Sequence, residues 1–433
     1  MTPRQLAHSL LQRAETNDQF LNLALDHALQ SSSLSEKDRS LSSALVYGVT
    51  ERRITLDYQI SCLSSRDTDT LDLSVKTALR LGLYQLIYMD RIPPHAAINE
   101  SVSLVSRKAS GFVNAILRSY TRAPSLRLPN REEDPLLYLS VAYSIGLPLA
   151  RKLCDAYGES RTESILKAFA DAEPLTTLSA NTLRASREEL LARIPDSTPT
   201  RYATKGLSTR GAVRSLYGFE EGLFFVQDEA SQLCVEVLDA KAGETVMDIC
   251  ACPGSKSFGS AIRMNNEGQV LSFDLHEKKL PLIESGAKRL GITIITTAVQ
   301  DGRQPLPPYF GKAHRVLCDV PCSGFGVIGK KPELRYKDPA ASSALPDIQL
   351  AILENACQYV RAGGTLVYST CTIFPEENER NVLRFLKKHP EFSLAPLETE
   401  HLSIPSGYET FLPDRYPMDG FFIARMTKRN ETH

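Results

Sequence analysis

Asp248-Ile249-Cys250-Ala251-Cys252-Pro253-Gly254-Ser255-Lys256 follows an apolar run at 245–249 and precedes a helical pattern. It reads as a strand, a tight turn that exposes backbone, and a helix, the arrangement that holds a nucleotide-like cofactor. The turn has one glycine where a dinucleotide fingerprint has three, so a nicotinamide cofactor fits poorly. Working outward, a helix is expected over 229–238 and further strands near 270–273, 292–296, 316–318 and 365–368, with helical patterns between them. This alternation predicts a doubly wound, mostly parallel, Rossmann-like α/β sheet with its ligands at the strand C-termini.

Three acids stand at successive strand exits. Asp248 closes the first strand and Asp274 the second, where a carboxylate can accept from ribose hydroxyls. Asp301 follows the third, placed either to contact an adenine amino group or to cap a helix. A positive sulfonium and two ribose hydroxyls favour carboxylates, whereas a phosphate-bearing cofactor needs cations. The set therefore fits S-adenosylmethionine. The expected cofactor pocket is Asp248, Cys250, Ala251, Cys252, Pro253, Gly254 and Lys256, joined by Asp274, Asp301 and Asp319.

Downstream, Asp319-Val320-Pro321-Cys322-Ser323-Gly324 and Tyr368-Ser369-Thr370-Cys371 each place a cysteine at a predicted strand exit. Those exits face the cofactor, so the two thiols are expected to converge on one substrate atom. A thiolate there points to covalent catalysis on a poor nucleophile. A free thiol has a pKa near ~8.5 and is only slightly ionised at neutral pH, so the site must lower that value; Lys256 is the nearest group by motif. Other cysteines read as packing. Cys62, Cys154, Cys234 and Cys357 lie in helical apolar patterns, as small core residues. Cys250 and Cys318 follow strand periodicity, and the C-x-C and C-x₃-C spacings do not match a zinc knuckle, so no metal is expected. Nine cysteines, an odd number over a long chain, argue for a reducing compartment.

The 433 residues exceed what one core usually organises, so two or three domains are expected. Thr2-Pro3 opens a helix with Leu6, Leu10, Leu11 and Ala14 at helical spacing, and Ser35 with Asp38 resembles a capping box. Further helical patterns cover 71–89, 95–108 and 112–120, making 1–125 an all-helical domain. A proline-rich linker leads to a small α/β middle module at 136–225, and the catalytic domain follows at 226–429. The net charge of −1 creates no global field toward nucleic acid; the first 130 residues carry a mild excess, 15 Lys and Arg against 12 Asp and Glu. Met1-Thr2-Pro3-Arg4-Gln5 does not resemble a signal peptide and no window approaches a membrane span, so a cytoplasmic location without a membrane partner is expected.

These motifs resemble those of RNA cytosine-5 methyltransferases of the Sun/RsmB family: the turn at 248–256, the run at 319–324 and the run at 368–371. Phe224-Phe225-Val226-Gln227-Asp228-Glu229-Ala230-Ser231 resembles the opening of their catalytic domain, and Asp419-Gly420-Phe421-Phe422-Ile423-Ala424 its closing strand. The N-terminal helices resemble a NusB-type RNA-binding domain, through Leu81-Gly82-Leu83-Tyr84-Gln85-Leu86-Ile87-Tyr88, Arg91-Ile92-Pro93-Pro94-His95-Ala96-Ala97-Ile98-Asn99-Glu100 and Asn114-Ala115-Ile116-Leu117-Arg118. Cys252, Ser255 and Ser257 stand where that family usually has Ala, Gly and Thr. Leu178-Ser179-Ala180-Asn181 and Asp134-Pro135-Leu136-Leu137 also depart from its pattern.

The resemblance implies methylation of cytosine carbon 5 in small-subunit (16S) ribosomal RNA. Cys371 would be the nucleophile, Asp319 would hydrogen-bond the cytosine, Pro321 would shape the loop, and Cys322 would assist product release. Lys256 would stabilise the thiolate or a phosphate. The implied partner is a single-stranded or flipped-out cytosine of ribosomal RNA, with no DNA and the protein a monomer. Lys330-Lys331-Pro332-Glu333-Leu334-Arg335-Tyr336 offers cations and a ring that would grip RNA, or else forms a solvated loop. A DNA cytosine-5 methyltransferase would carry its nucleophile in the Pro-Cys loop and an ENV motif, which this chain lacks. A non-catalytic antitermination factor would need neither the acids nor the thiols.

Overall fold

The computed structural model describes residues 1–16 and 21–430. Its contacts divide the chain into two units: Met1–Leu166 together with Lys331–Asp338, and Lys167–Lys330 together with Pro339–His433.

The first unit is helical, and its helices begin where capping chemistry supplies partners for free amides. Thr2 Oγ1 accepts from Gln5 N at the head of helix Pro3–Thr16, which buries Leu6, Ala7, Leu10 and Leu11. Ser35 accepts from Asp38 N at the start of helix Glu36–Glu51. Helix Leu73–Tyr88 runs through the centre. Its Gly82 lets Leu117 of helix Arg107–Arg122 approach so closely that a Cβ would lie 2.6 Å from the Leu117 side chain. Arg80 of the central helix is buried, and its charge is met by Asp57 at 2.6 Å and by Glu15. A buried guanidinium is tolerated only with such partners.

The second unit holds two sheets. The smaller one contains β1 (Thr176–Ala180), β2 (Thr198–Pro199), β3 (Gly206–Thr209) and β4 (Phe224–Val226), antiparallel in the order β2-β3-β1-β4. Asn181, directly after β1, donates from Nδ2 to Gly222 O at 2.8 Å and Leu290 O at 2.9 Å, fastening this sheet to the larger one's helices. The larger sheet contains β5 (Thr245–Asp248), β6 (Gln269–Asp274), β7 (Ile295–Val299), β8 (Ala313–Asp319), β9 (Val360–Thr370) and β10 (Phe392–Leu394). After a small ribbon of β11 (Leu397–Glu398) and β12 (Ser403–Ile404), β13 (Tyr408–Phe411) and β14 (Phe421–Lys428) complete it. The order is β10-β14-β9-β8-β5-β6-β7, with β13 on β14. Pairings from β9 to β7 are parallel and those of β14 antiparallel, so the expected doubly wound sheet is present with an antiparallel flank. Val246, Met247, Val316, Leu317, Leu366 and Val367 are fully buried, as befits strands covered on both faces.

Several local expectations need correction. The third strand is Ile295–Val299 rather than 292–296: Ile292 closes the preceding helix, whose C-cap Gly291 adopts φ +74°, by donating its amide to Ala287 O. Cys234 and Cys357 are buried as expected, whereas Cys62 and Cys154 are partly exposed. In the stretch 330–336, expected either to grip RNA or to form a solvated loop, Lys330 and Lys331 are exposed, whereas Arg335 and Tyr336 are taken up by other contacts. Arg335 and Tyr336 pack into the helical unit, with Arg335 Nη1 donating to Tyr143 O at 2.9 Å and the side chain 1% exposed. Tyr336 OH lies 2.6 Å from Thr50 O, 2.9 Å from Ser144 Oγ and 3.1 Å from Arg53 N, and the Arg53 guanidinium covers its ring at 3.9 Å. The middle region is likewise split: the helices over 135–157 fall in the first unit and the four-stranded sheet in the second.

Because Tyr336→Phe leaves two buried acceptors and a donor around the lost hydroxyl, we expect it to destabilise the helical unit by about 1–3 kcal/mol. Urea unfolding measures this. A tyrosine that stacked on RNA would leave the midpoint in place.

Candidate active site

In the larger sheet the chain runs β5, β6, β7 outward on one side, then returns to place β8 on the other side of β5. The crevice between the C-terminal ends of β5 and β8 is the topological switch point, where open α/β sheets bind ligands. Asp248 ends β5 there and Asp319 ends β8.

Helix Ser255–Arg263 starts at the β5 turn and carries Lys256 into this crevice. Lys256 Nζ donates to Asp319 Oδ2 at 2.7 Å and to Ser231 Oγ at 3.3 Å, with the Phe421 ring 5.2 Å away. The adjoining carboxylates raise its pKa against strong desolvation. Lys256, expected beside a thiolate, is thus first the partner of Asp319. The other Asp319 oxygen accepts from Ser369 Oγ at 2.7 Å, which fixes the carboxylate between β8 and β9.

The turn is built for close backbone approach. Gly254 has φ +110° and a Cβ there would lie 2.7 Å from the Phe258 ring, so only glycine fits without displacement. Asp248 is buried, with Oδ2 accepting from Ser257 Oγ at 2.6 Å; burial pushes its carboxyl up to about 7. Asp274, at the end of β6, accepts from Cys252 N at 3.2 Å and from His276 N at 2.9 Å. Cys250 and Ala251 line the same turn, Ala251 N donating to Phe273 O at 2.7 Å, and Cys252 is joined to Pro253 by a cis peptide. Desolvation and the Asp274 charge push Cys252 up to about 12, and burial raises Cys250 and Cys318 well above the usual thiol value, so these three are packing thiols. Asp301, two residues beyond β7, is held by its neighbour: Arg303 Nη2 donates to Oδ2 at 2.7 Å and Nε to Oδ1 at 3.0 Å. It stands apart from the Lys256–Asp319 cluster in its hydrogen bonding.

The two cysteines at the exits of β8 and β9 do converge. Cys322 Sγ lies 3.1 Å from Cys371 Sγ, and the Cys371 amide points at Cys322 Sγ from 3.3 Å. The hydrogen bond to Cys371 is the largest influence raising the Cys322 pKa, followed by desolvation and by the charges of Cys371 and Glu377. The two thiols thus sit in hydrogen-bond contact, and the contact holds Cys322 in its neutral form. Gly326 N donates to Cys371 O at 3.0 Å and Gly420 N to Gly326 O at 2.8 Å, packing three backbone segments too tightly for a side chain at Gly326.

One participant went unnoticed in the sequence. Glu377 is 2% exposed and its carboxylate accepts from Ser323 N at 2.9 Å, from Ser323 Oγ and from Gln349 Nε2 at 2.8 Å. The acidic pair Glu376-Glu377 just past Cys371 was the available signal, but it looks like a solvated turn.

The family described as 16S rRNA methyltransferase RsmB/F matches residues 235–427, and the NusB family matches residues 1–122. The chain is 37% identical over 447 residues to the probable ribosomal RNA small subunit methyltransferase B of Bacillus subtilis, covering 98% of each. It is 31% identical to ribosomal RNA small subunit methyltransferase B of Citrobacter koseri, over 98% of this chain and 99% of that one. The solved structure of PH0851 superposes with a TM-score of 0.79 at 26% identity, covering 99% of both chains. With a NusB domain ahead of its methyltransferase domain, the chain belongs to the RsmB/F family of 16S rRNA methyltransferases.

Proposed function

We propose that this methyltransferase transfers the methyl group of S-adenosylmethionine to carbon 5 of a cytosine in 16S ribosomal RNA, through a covalent bond between Cys371 and carbon 6. The observation that carries the reading is the meeting of two thiols, 3.1 Å apart, from the exits of adjacent strands and beside Asp319.

The residues fit the cofactor. Both Asp274 oxygens are oriented by backbone amides and keep lone pairs for the ribose hydroxyls. Asp248, with Oδ1 making no side-chain hydrogen bond, lines a turn where the ammonium of Lys256 is already paired with Asp319. An acidic pocket of this kind suits a sulfonium and disfavours a phosphate. When bound, the cofactor supplies an electrophilic methyl group. Cys250, Ala251, Cys252, Pro253 and Gly254 would present backbone to it, and Asp301 would reach it only by leaving Arg303.

Carbon 5 of cytosine is a weak nucleophile. Attack of the Cys371 thiolate on carbon 6 forms a C–S bond and makes carbon 5 enamine-like, able to take the methyl group. Asp319, held by Lys256 and Ser369, would grip the cytosine amidine edge. Once Cys371 is bonded to carbon 6 its thiolate charge is gone and its contact with Cys322 is changed, and both of these raise Cys322 in the free protein. Cys322 can then give its proton to solvent water, and its thiolate takes the proton from carbon 5 as the C–S bond breaks, the electron pair of that bond returning to restore the Cys371 thiolate. A stacked base cannot reach this crevice, so the target is unpaired or flipped, at a cost of a few kcal/mol.

Asp274→Ala is expected to weaken S-adenosylmethionine binding about a hundredfold or more, two charged hydrogen bonds being worth roughly 1.5–3 kcal/mol each, with a smaller effect on RNA binding. Calorimetry with each ligand checks this, and equal losses would sink the pocket. For the chemistry, Cys371→Ala should be inactive and form no adduct. Cys322→Ala should methylate once and stall as a protein–RNA adduct that survives denaturing electrophoresis. An adduct in Cys371→Ala instead would make Cys322 the nucleophile, and bisulfite sequencing of 16S RNA from cells with and without the protein would locate the modified cytosine.

A further inference from the structure

Cys322 sits on a short turn, and nothing in its own sequence holds that turn against Cys371. The connection is supplied from below. Ser323, the next residue, gives both its amide and its hydroxyl to Glu377, and its Oγ lies 2.8 Å from Thr372 Oγ1, next to Cys371. Gln349 Nε2 donates to Glu377 Oε2 at 2.8 Å and to Pro321 O at 3.0 Å, closing the turn from its other end. Glu377 is itself anchored where Tyr368 OH donates to its carbonyl at 2.6 Å. Asn378 spans the Cys371 side, accepting from Thr370 Oγ1 at 2.6 Å and donating to Thr372 O at 3.0 Å. Ser323, Gln349, Thr370, Thr372, Glu377 and Asn378 are all 3% exposed or less. Ser323 and Gln349, the donors to this buried carboxylate, are neutral, and a single acid so placed joins the two loops that carry the thiols.

We propose that Glu377 is a positioning residue for the release step: its carboxylate sets the distance of Cys322 from Cys371, and its charge keeps the Cys322 sulfur a strong base once it has ionised. This rests on the division of labour between the thiols given above. The groups facing Cys322 are Cys371, Glu377 and the Tyr368 phenol, with the Gly324 backbone opposing their effect. Glu377 contributes the fixed negative charge among them that does not take part in bond making. A residue serving only the fold would lower stability and all rates together. Glu377 is instead expected to separate release from methyl transfer.

The test uses the full chain with 16S RNA and S-adenosylmethionine. Single-turnover methyl transfer is followed alongside denaturing electrophoresis, with Cys322→Ala in the same series. In Glu377→Gln, release should slow by about tenfold or more while the first methyl transfer changes far less, so that adduct accumulates. Independently of RNA, the pH at which Cys322 becomes reactive to iodoacetamide, read by peptide mass spectrometry, should fall by on the order of one unit, because a nearby negative charge has been removed. Cys322 is partly exposed, so the reagent has access. Equal slowing of both steps without adduct, or an unchanged Cys322 alkylation profile, would overturn the proposal. If Cys322→Ala gives no adduct, the thiol assignment fails, while the alkylation profile still decides the role of Glu377. Should Glu377→Gln fail to fold, Ser323→Ala retains the charge and removes one strut; it should also accumulate adduct at an unchanged alkylation profile, and its failure to do so overturns the positioning role.

Discussion

The contact between Lys256 and Asp319 is the constraint around which the catalytic unit is arranged. It reaches from the first turn of the helix after β5 to the last residue of β8, across the gap that every doubly wound sheet leaves at its switch point. Lys256 is 8% exposed, and an ammonium so far from water is sustained only by carboxylate and dipolar partners. Losing one partner of a fully buried pair costs about 3–5 kcal/mol. Asp319 keeps an open side, its side chain being 28% exposed, which lowers that figure and leaves an edge on which substrate can dock. The pair therefore tethers the two halves of the crevice and presents an oriented carboxylate to whatever enters it.

Around that pair, burial sorts groups of the same chemical kind into different tasks. Among the cysteines, Cys234 is driven up to about 12 by burial, and Cys250, Cys252 and Cys318 rise as well, so they stay neutral and inert. Cys322 is raised as well, first by its hydrogen bond to Cys371 and then by burial, and what sets these two thiols apart is their meeting over 3.1 Å. The carboxylates divide in the same way: burial raises Asp248, whereas Asp301, partly exposed and paired with Arg303, is lowered.

Much of this was legible because the residues concerned obey local rules. Helix Glu229–Leu238 begins at Asp228, whose side chain caps Ala230 N, and its bounds follow from that cap and the apolar spacing. The strands β5, β6, β8 and β9 were visible as apolar runs because both their faces are covered. β7 was misplaced for the converse reason. It is the edge strand, Val299 is 50% exposed, and its threonines carry little periodic signal beside the more apolar Ile292. Composition could not reveal that Arg335 and Tyr336 are interior, since a cation and a ring look alike in sequence whether they wait for RNA or are already satisfied by Tyr143, Thr50 and Ser144. Glu377 was hidden because its role depends on contacts with residues far away in the chain, Ser323 and Gln349, that no periodicity relates.

The helical unit contains Lys331–Asp338, which the ribosome delivers long after Leu166. Until those residues emerge, the carbonyls of Thr50, Glu51 and Tyr143 that will bind Tyr336 and Arg335 must be left to water. The N-terminal unit is thus completed only after the strands β1 to β8 have appeared, and before β9 to β14. A gene cut anywhere between codons 167 and 330 would separate the helices from the segment that finishes them. The two units of this chain are consequently bound into one heritable piece, which would not readily be exchanged module by module.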